Sequence, residues 1–170
     1  KGLPIIVKLS RYHTNLPMLV DKLRAAGAAA VTLFNRSYQI DIDLNREQLI
    51  GGEVFSREGD FTETLRFTGV IRGCVPNVGI SASTGIYTWE ELTKVLLAGA
   101  DTAQMCTAVY KQGATAIAEA LKGLRHWMIE HGYQSLSELR GRLSYGAVAD
   151  PSLFERIQFM KYFNARAAQD

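Results

Sequence analysis

Residues 78–107 read VGISASTGIYTWEELTKVLLAGADTAQMCT, and this stretch decides the fold. Val78–Ser83 is a short apolar run of the kind a fully buried strand presents. Ser83-Thr84-Gly85 ends the run in small polar residues. Thr88 then stands three residues before Glu91, the spacing of a capping box, which predicts a helix over 88–99 with Gly99 as its stop. Thr102–Met105 is a second run, closed by Cys106 and Thr107. Apolar strands alternating with helices indicate a parallel sheet covered on its outer face.

The same unit recurs upstream. Ile5–Leu9 is an apolar run, and Leu16, Leu19, Val20 and Leu23 fall at i, i+3, i+4 and i+7 of a helix over Asn15–Gly27. Ala29–Phe34 is the next run. A long polar stretch, Asn35–Ile50, reads as a loop and leads to a short Glu53–Ser56 segment and a helix at about Phe61–Gly73. Ala26-Gly27-Ala28 enters the second run and Ala98-Gly99-Ala100 the fourth, and Asn35 and Thr107 each stand eight residues after the glycine. Repeated units of this kind suit a barrel better than a doubly wound sheet, and no G-x-G-x-x-G follows any strand. Downstream, a helix is expected over about Ala114–His131 and a short one over Gln134–Gly141, capped by Ser135 or Ser137. Asp150-Pro151 opens a last helix to about Arg166. Its stripe of Leu153, Phe154, Ile157 and Met160 is read as packing.

Composition narrows the function classes. The chain has 170 residues, 47% of them apolar, which suits one packed domain. Its 19 basic residues are scattered and the net charge is only +2, which argues against nucleic acid. No apolar run approaches the roughly 18–20 residues of a membrane span. Cys74 and Cys106 fit neither a disulfide framework nor a metal-ligand spacing, so a reducing cytoplasm is the expected compartment. The chain opens without a methionine and enters an apolar strand almost at once, so further sequence is expected upstream.

In a (β/α)8 barrel the active site lies at the C-terminal ends of the strands, with phosphate held after the last two. That rule selects Lys8, Asn35, Ser83, Thr84, Gly85, Cys106 and Thr107. Lys8 closes an apolar strand, a costly place for an ammonium unless an anionic or strongly accepting group meets it; the alternative is a lysine reaching the barrel rim. Asn35 can donate and accept, or simply end a strand in a turn. Arg36 beside it reads as a surface or loop anchor. Ser83-Thr84-Gly85 and Cys106-Thr107 offer hydroxyls and N–H groups to one anion, although such residues before a helix also serve as ordinary caps. No histidine is placed by sequence to activate Cys106, which reads as a small residue against cofactor or core. His13, His126 and His131 form no metal pattern, and Asp41 and Asp43 read as solvated or turn-forming residues on an exposed loop.

Taken together, the segments PIIVKLS, VTLFNR, SASTGIYTWEELTKVLLAGADTAQMCTAVYKQG and GLRHWMIEHGYQSLSELRG resemble the C-terminal half of class 1 dihydroorotate dehydrogenases. The STG triplet and the tail VADPSLFERIQFMK resemble a subgroup known as dihydroorotate dehydrogenase-like proteins. The resemblance implies an α/β fold: the C-terminal half, four β/α units, of a TIM (β/α)8 barrel with extra C-terminal helices. Residues 1–132 would form the half-barrel carrying strands five to eight, and 133–170 a helical extension packed on it.

It also implies FMN as cofactor. Lys8 would contact the isoalloxazine edge, where a fixed cation stabilises the charge of the reduced ring. Asn35 would lie beside substrate or flavin. Thr84 and Gly85 match a Gly-Gly pair, Cys106 and Thr107 a Gly-Thr pair, and with Ser83 they would hold the FMN phosphate. Thr84 and Cys106 replace glycines that let a phosphate approach the backbone. The family's proline after the strand-five lysine is absent, since Leu9-Ser10-Arg11-Tyr12 follows Lys8.

The implied function is CH–CH oxidation, of dihydroorotate to orotate in pyrimidine biosynthesis or of a related dihydropyrimidine. The catalytic base is expected in the N-terminal half and not in this chain. The expected partners are a small-molecule substrate, the N-terminal half of the same barrel and a homo-oligomer, with no nucleic acid and no membrane. The alternatives are a non-redox barrel half that binds a phosphorylated metabolite, or an inactive fragment. Four strands close only half a barrel, so unpaired edges and roughly ten inward apolar side chains are expected to deny this chain a life as an active monomer.

Overall fold

The computed structural model of the protein describes residues 2–155. In chain order, β1 (Ile6–Leu9) leads to α1 (Leu16–Ala25) and β2 (Ala30–Leu33). A hairpin of β3 (Ile40–Asp43) and β4 (Gln48–Gly51) precedes α2 (Phe61–Cys74), β5 (Gly79–Ser83), α3 (Trp89–Ala98) and β6 (Thr102–Gln104). Four more helices follow: α4 (Cys106–Gln112), α5 (Thr115–Glu130), α6 (Leu136–Leu139) and α7 (Ser152–Glu155).

The main sheet is entirely parallel, with its strands in the order β1-β2-β5-β6. Neighbours follow chain order without reversing, and a helix fills each crossover. The glycines that end the two repeated units have the backbone their place requires, at φ +99° for Gly27 and +122° for Gly99. Alternation along the strands sorts the side chains. Leu9, Val31, Leu33 and Ile80 point to one face and pack on Leu16 and Val20 of α1 and Ile71 of α2. Ala82 joins Phe61 and Val95, while Leu92 and Leu96 of α3 meet Ala120, Leu124 and Leu139 of the later helices. Each large side chain buried in this way stabilises the fold by about 1.5–3 kcal/mol.

The other face carries Ile6, Lys8, Ala30, Thr32, Gly79, Ser81, Ser83, Thr102 and Gln104, mostly small or polar residues. The expectation of about ten apolar side chains there is therefore corrected. Exposed apolar side chains lie at the start of the chain, among them Leu3 and Ile5, on the hairpin, among them Ile40, Ile42 and Leu49, and on the helices, among them Leu121 and Ile129.

Two local readings also change. The polar stretch expected as a loop contains the β3–β4 hairpin, because Ile40 and Ile42 alternate with Asp41 and Asp43 at the period of a strand. Asp43 does form the turn, since its Oδ1 accepts from the Asn45 and Arg46 amides at 2.9 and 3.2 Å. Directly after β6 comes α4, which has no apolar period to announce it and buries Ala108. At the C-terminal end, Asp150 Oδ1 accepts from the Ser152 amide at 3.1 Å, as a cap would. Leu153 and Phe154 lie on α7, and Phe154 packs against Gly69 of α2. Ile157, Met160 and the predicted helix end at Arg166 lie outside the described residues.

Candidate functional site

Lys8, Asn35, Ser83, Thr84, Gly85, Cys106 and Thr107 all line one cavity of about 170 Å³. Their convergence follows from the parallel sheet, which sends every strand's C-terminal end the same way. Main-chain bonds extend the pairing beyond the strands. The Phe34 amide donates to the Ser83 carbonyl at 2.9 Å, and the Asn35 amide donates to the Leu9 carbonyl at 2.7 Å. The Leu33–Phe34 peptide is cis.

The loop after β5 turns through two consecutive left-handed residues, Thr84 at φ +87° and Gly85 at φ +79°. A β-branched residue there costs about 1–2 kcal/mol. Hydrogen bonds offset part of this. Thr84 Oγ1 donates to the Phe34 carbonyl at 3.0 Å. Thr64 Oγ1, buried on α2, lies 2.9 and 3.1 Å from the Ser83 and Thr84 carbonyls.

The capping box that opens α3 is present. The Glu91 carboxylate accepts from the Thr88 amide at 2.9 Å and from the Thr88 hydroxyl at 2.8 Å. Burial alone would raise the Glu91 carboxyl, but bonds from the Thr88 hydroxyl and the Thr88, Tyr87 and Glu91 main chain outweigh it and hold the group below its usual range. With Glu90 and Glu91 in its first turn, this helix end is closed by acids. An anion in the cavity would be met by the loop and its hydroxyls instead.

Several lining residues were missed by sequence reasoning. Gln104 donates to Ser81 Oγ at 3.0 Å and Thr32 Oγ1 at 3.4 Å. Its alternation with Thr102 was the available signal, a polar residue at every second position of a strand. Ser56 and Val54, from the segment after the hairpin, gave none. Arg36 is the loop anchor it was read to be. It donates to the Glu53 and Val54 carbonyls, the latter at 2.6 Å, and pairs with Asp60 at 3.5 Å.

The histidines lie elsewhere. His13 is 3.4 Å from Ser10 Oγ, His126 is 3.2 Å from Glu130, and His131 stacks on Trp127. Among the described residues, no three His, Cys, Asp or Glu side chains gather as a metal site would require, and no helix is long and apolar enough to cross a membrane.

No protein-family model matches the chain. It is similar to the dihydroorotate dehydrogenase B (NAD(+)) catalytic subunit of Pyrococcus abyssi, at 32% identity over 143 residues covering 81% of this chain and 47% of that protein. The corresponding subunit of Bacteroides fragilis is 30% identical over 142 residues, covering 82% of this chain and 46% of that one. The NAD-dependent dihydropyrimidine dehydrogenase subunit PreA of Escherichia coli is 27% identical over 149 residues, covering 82% and 36%. The chain spans about half the length of the dihydroorotate dehydrogenase subunits it matches.

Proposed function

We propose that this chain, which belongs over its matched region to the dihydroorotate dehydrogenase-like family, is the phosphate-binding half of an FMN-dependent oxidoreductase. The reaction is oxidation of a CH–CH bond in dihydroorotate or a related dihydropyrimidine, within pyrimidine metabolism. One observation carries this reading: the seven residues selected for FMN line a single cavity.

The residues present fit a flavin phosphate. Ser83 and Thr107 supply hydroxyls and Gly85 supplies backbone that can be approached closely, while Lys8 supplies positive charge for the ring. FMN, when bound, would take up the hydride. Lys8 would face its ring and Asn35 the ring or the substrate. The polar inner face, with Gln104 held by Ser81 and Thr32, suits a barrel interior that receives a polar ligand.

In this reading residues 1–132 form four of eight barrel units and residues 133–170 an extension packed on them. The N-terminal half pairs with the free edges of β1 and β6 and carries the catalytic base. The assembled protein is cytoplasmic and homo-oligomeric. A second reading rests on the same cavity: its hydroxyls and close-approach backbone would also suit a phosphorylated metabolite bound without redox chemistry.

The absorbance spectrum of the full-length protein, followed by anaerobic addition of dihydroorotate, tests the proposal. Flavin bands that bleach with dihydroorotate support the oxidoreductase. A colourless protein that binds a phosphorylated metabolite supports the second reading and overturns the first.

A further inference from the structure

We propose that Glu53–Ser56 is a strap, fastened across the anion cavity by Arg36, that fixes the Thr107 hydroxyl as a hydrogen-bond donor to the bound phosphate; this rests on the phosphate-site reading above. Thr107 Oγ1 accepts from the Ser56 amide at 3.3 Å and from Ser56 Oγ at 3.0 Å. A hydroxyl has two lone pairs and one hydrogen. Both lone pairs are engaged, so the hydrogen is what Thr107 has left to give, and among the described residues nothing accepts it. Thr107 lines the cavity, where an ionised phosphate oxygen can only accept.

The strap is held along its length. At its start the Arg36 guanidinium donates to the Glu53 and Val54 carbonyls while pairing with Asp60, and the Arg36 and Asp60 side chains are each less than a fifth exposed. In its middle Phe55 meets the Tyr110 ring at 4.8 Å, and Lys111 lies over Phe55 at 5.4 Å. At its end the Tyr87 hydroxyl donates to the Ser56 carbonyl. Arginine suits the first position because its planar fork can reach two carbonyls and a carboxylate together, which an ammonium cannot. Arg36 Nη2 is buried with no acceptor among the described residues, so this wall also keeps an N–H that an anion would answer. Arg36 and Ser56 are positioning residues in this account, with Ser56 acting through Thr107.

The test compares FMN with riboflavin, which lacks the phosphate, by fluorescence titration of the full-length protein. Ser56→Ala and Arg36→Ala should each weaken FMN binding about tenfold, the scale of one charge-assisted hydrogen bond, and leave riboflavin binding unchanged. Ser56→Thr should retain FMN, and Arg36→Lys should behave like Arg36→Ala. Because Ser56 acts through Thr107, Ser56→Ala should add no further loss to Thr107→Val. Unchanged FMN affinity in both alanine variants, equal losses for FMN and riboflavin, or full additivity with Thr107→Val would each overturn the strap's role. A wild-type protein that binds riboflavin as tightly as FMN would instead overturn the phosphate reading, and the strap with it.

Discussion

Gly85 and Phe61 leave no room for a side chain between them: a Cβ on Gly85 would lie 2.5 Å from the Phe61 amide nitrogen and 2.6 Å from its Cα. The contact joins the loop after β5 to the first residue of α2, so this turn is set by backbone against backbone. Gly85→Ala would need both a left-handed alanine and a displaced helix start. We predict a loss of about 2–4 kcal/mol, from roughly 1 kcal/mol of backbone strain and 1–3 of overpacking. Thermal or urea unfolding measures it, and a variant as stable as wild type would show that the loop has another way to turn.

Thr84, one residue earlier, should behave in the opposite way. At φ +87° it carries strain that glycine would relieve, but its hydroxyl donates to the Phe34 carbonyl. The gain of about 1–2 kcal/mol and the loss of about 0.5–1.5 kcal/mol nearly cancel. Thr84→Gly should therefore unfold within about 1 kcal/mol of wild type. It should also bind FMN more tightly, because the phosphate can come closer to the main chain. Weaker FMN binding would mean that the Thr84 side chain, and not its backbone, contributes to the site.

How far these features could be read in advance follows from their range along the chain. The Thr88–Glu91 box and the glycine stops at Gly27 and Gly99 are local devices, and each sits in the structure where its spacing put it. The seven cavity residues were legible because strand ends in a parallel sheet share one side, so placing each strand sufficed. Ser56 was not legible, since its bond to Thr107 joins positions 51 residues apart through a loop without periodicity. The hairpin was hidden by its aspartates, whose polarity reads as loop although their alternation with Ile40 and Ile42 is that of a strand. The inner face was misjudged for a related reason. Val78–Ser83 reads as apolar on both faces, whereas Ser81 and Ser83, themselves buried, alternate with Ile80 and Ala82 and turn polar atoms inward.

Glu91 gives the fold a dependence on acid. Its folded carboxyl is held below the usual range, so the charged form is favoured in the folded state. A depressed carboxylate contributes stability that is present above its unfolded value, about 4.3, and lost as pH falls through the folded value. Glu91→Gln keeps the shape of the capping box and removes the charge. It should cost about 0.5–1 kcal/mol at pH 7, the scale of a charge at a helix N-terminus. The difference from wild type should shrink as the pH is lowered below about 4. Urea unfolding of both proteins at pH 7 and pH 3 decides it. A deficit that is the same at both pH values would assign the effect to packing and not to charge.

Lys8 offers the sharpest test of the redox reading. It stands on β1 in register with Thr32 of β2, on the inner face, and lines the cavity. Arg36, the neighbouring cation, is committed to the strap and Asp60. Among the described residues the Lys8 side chain makes no ion pair or hydrogen bond, and it is exposed on a face that the proposed N-terminal half of the barrel would cover. Enclosure would strengthen its field, because the same charge acts more strongly where water is excluded. A flavin ring gains negative charge on reduction, so a fixed ammonium beside it favours the reduced form more than the oxidised one. Lys8→Ala in the full-length protein should therefore slow flavin reduction by dihydroorotate by roughly 10²-fold, the typical effect of losing one preorganised electrostatic contact. FMN retention should fall far less, since in the proposed site the loops after β5 and β6 would hold the phosphate. Stopped-flow absorbance separates the two effects, and an unchanged reduction rate with normal flavin content would leave Lys8 as a rim residue with no part in the chemistry.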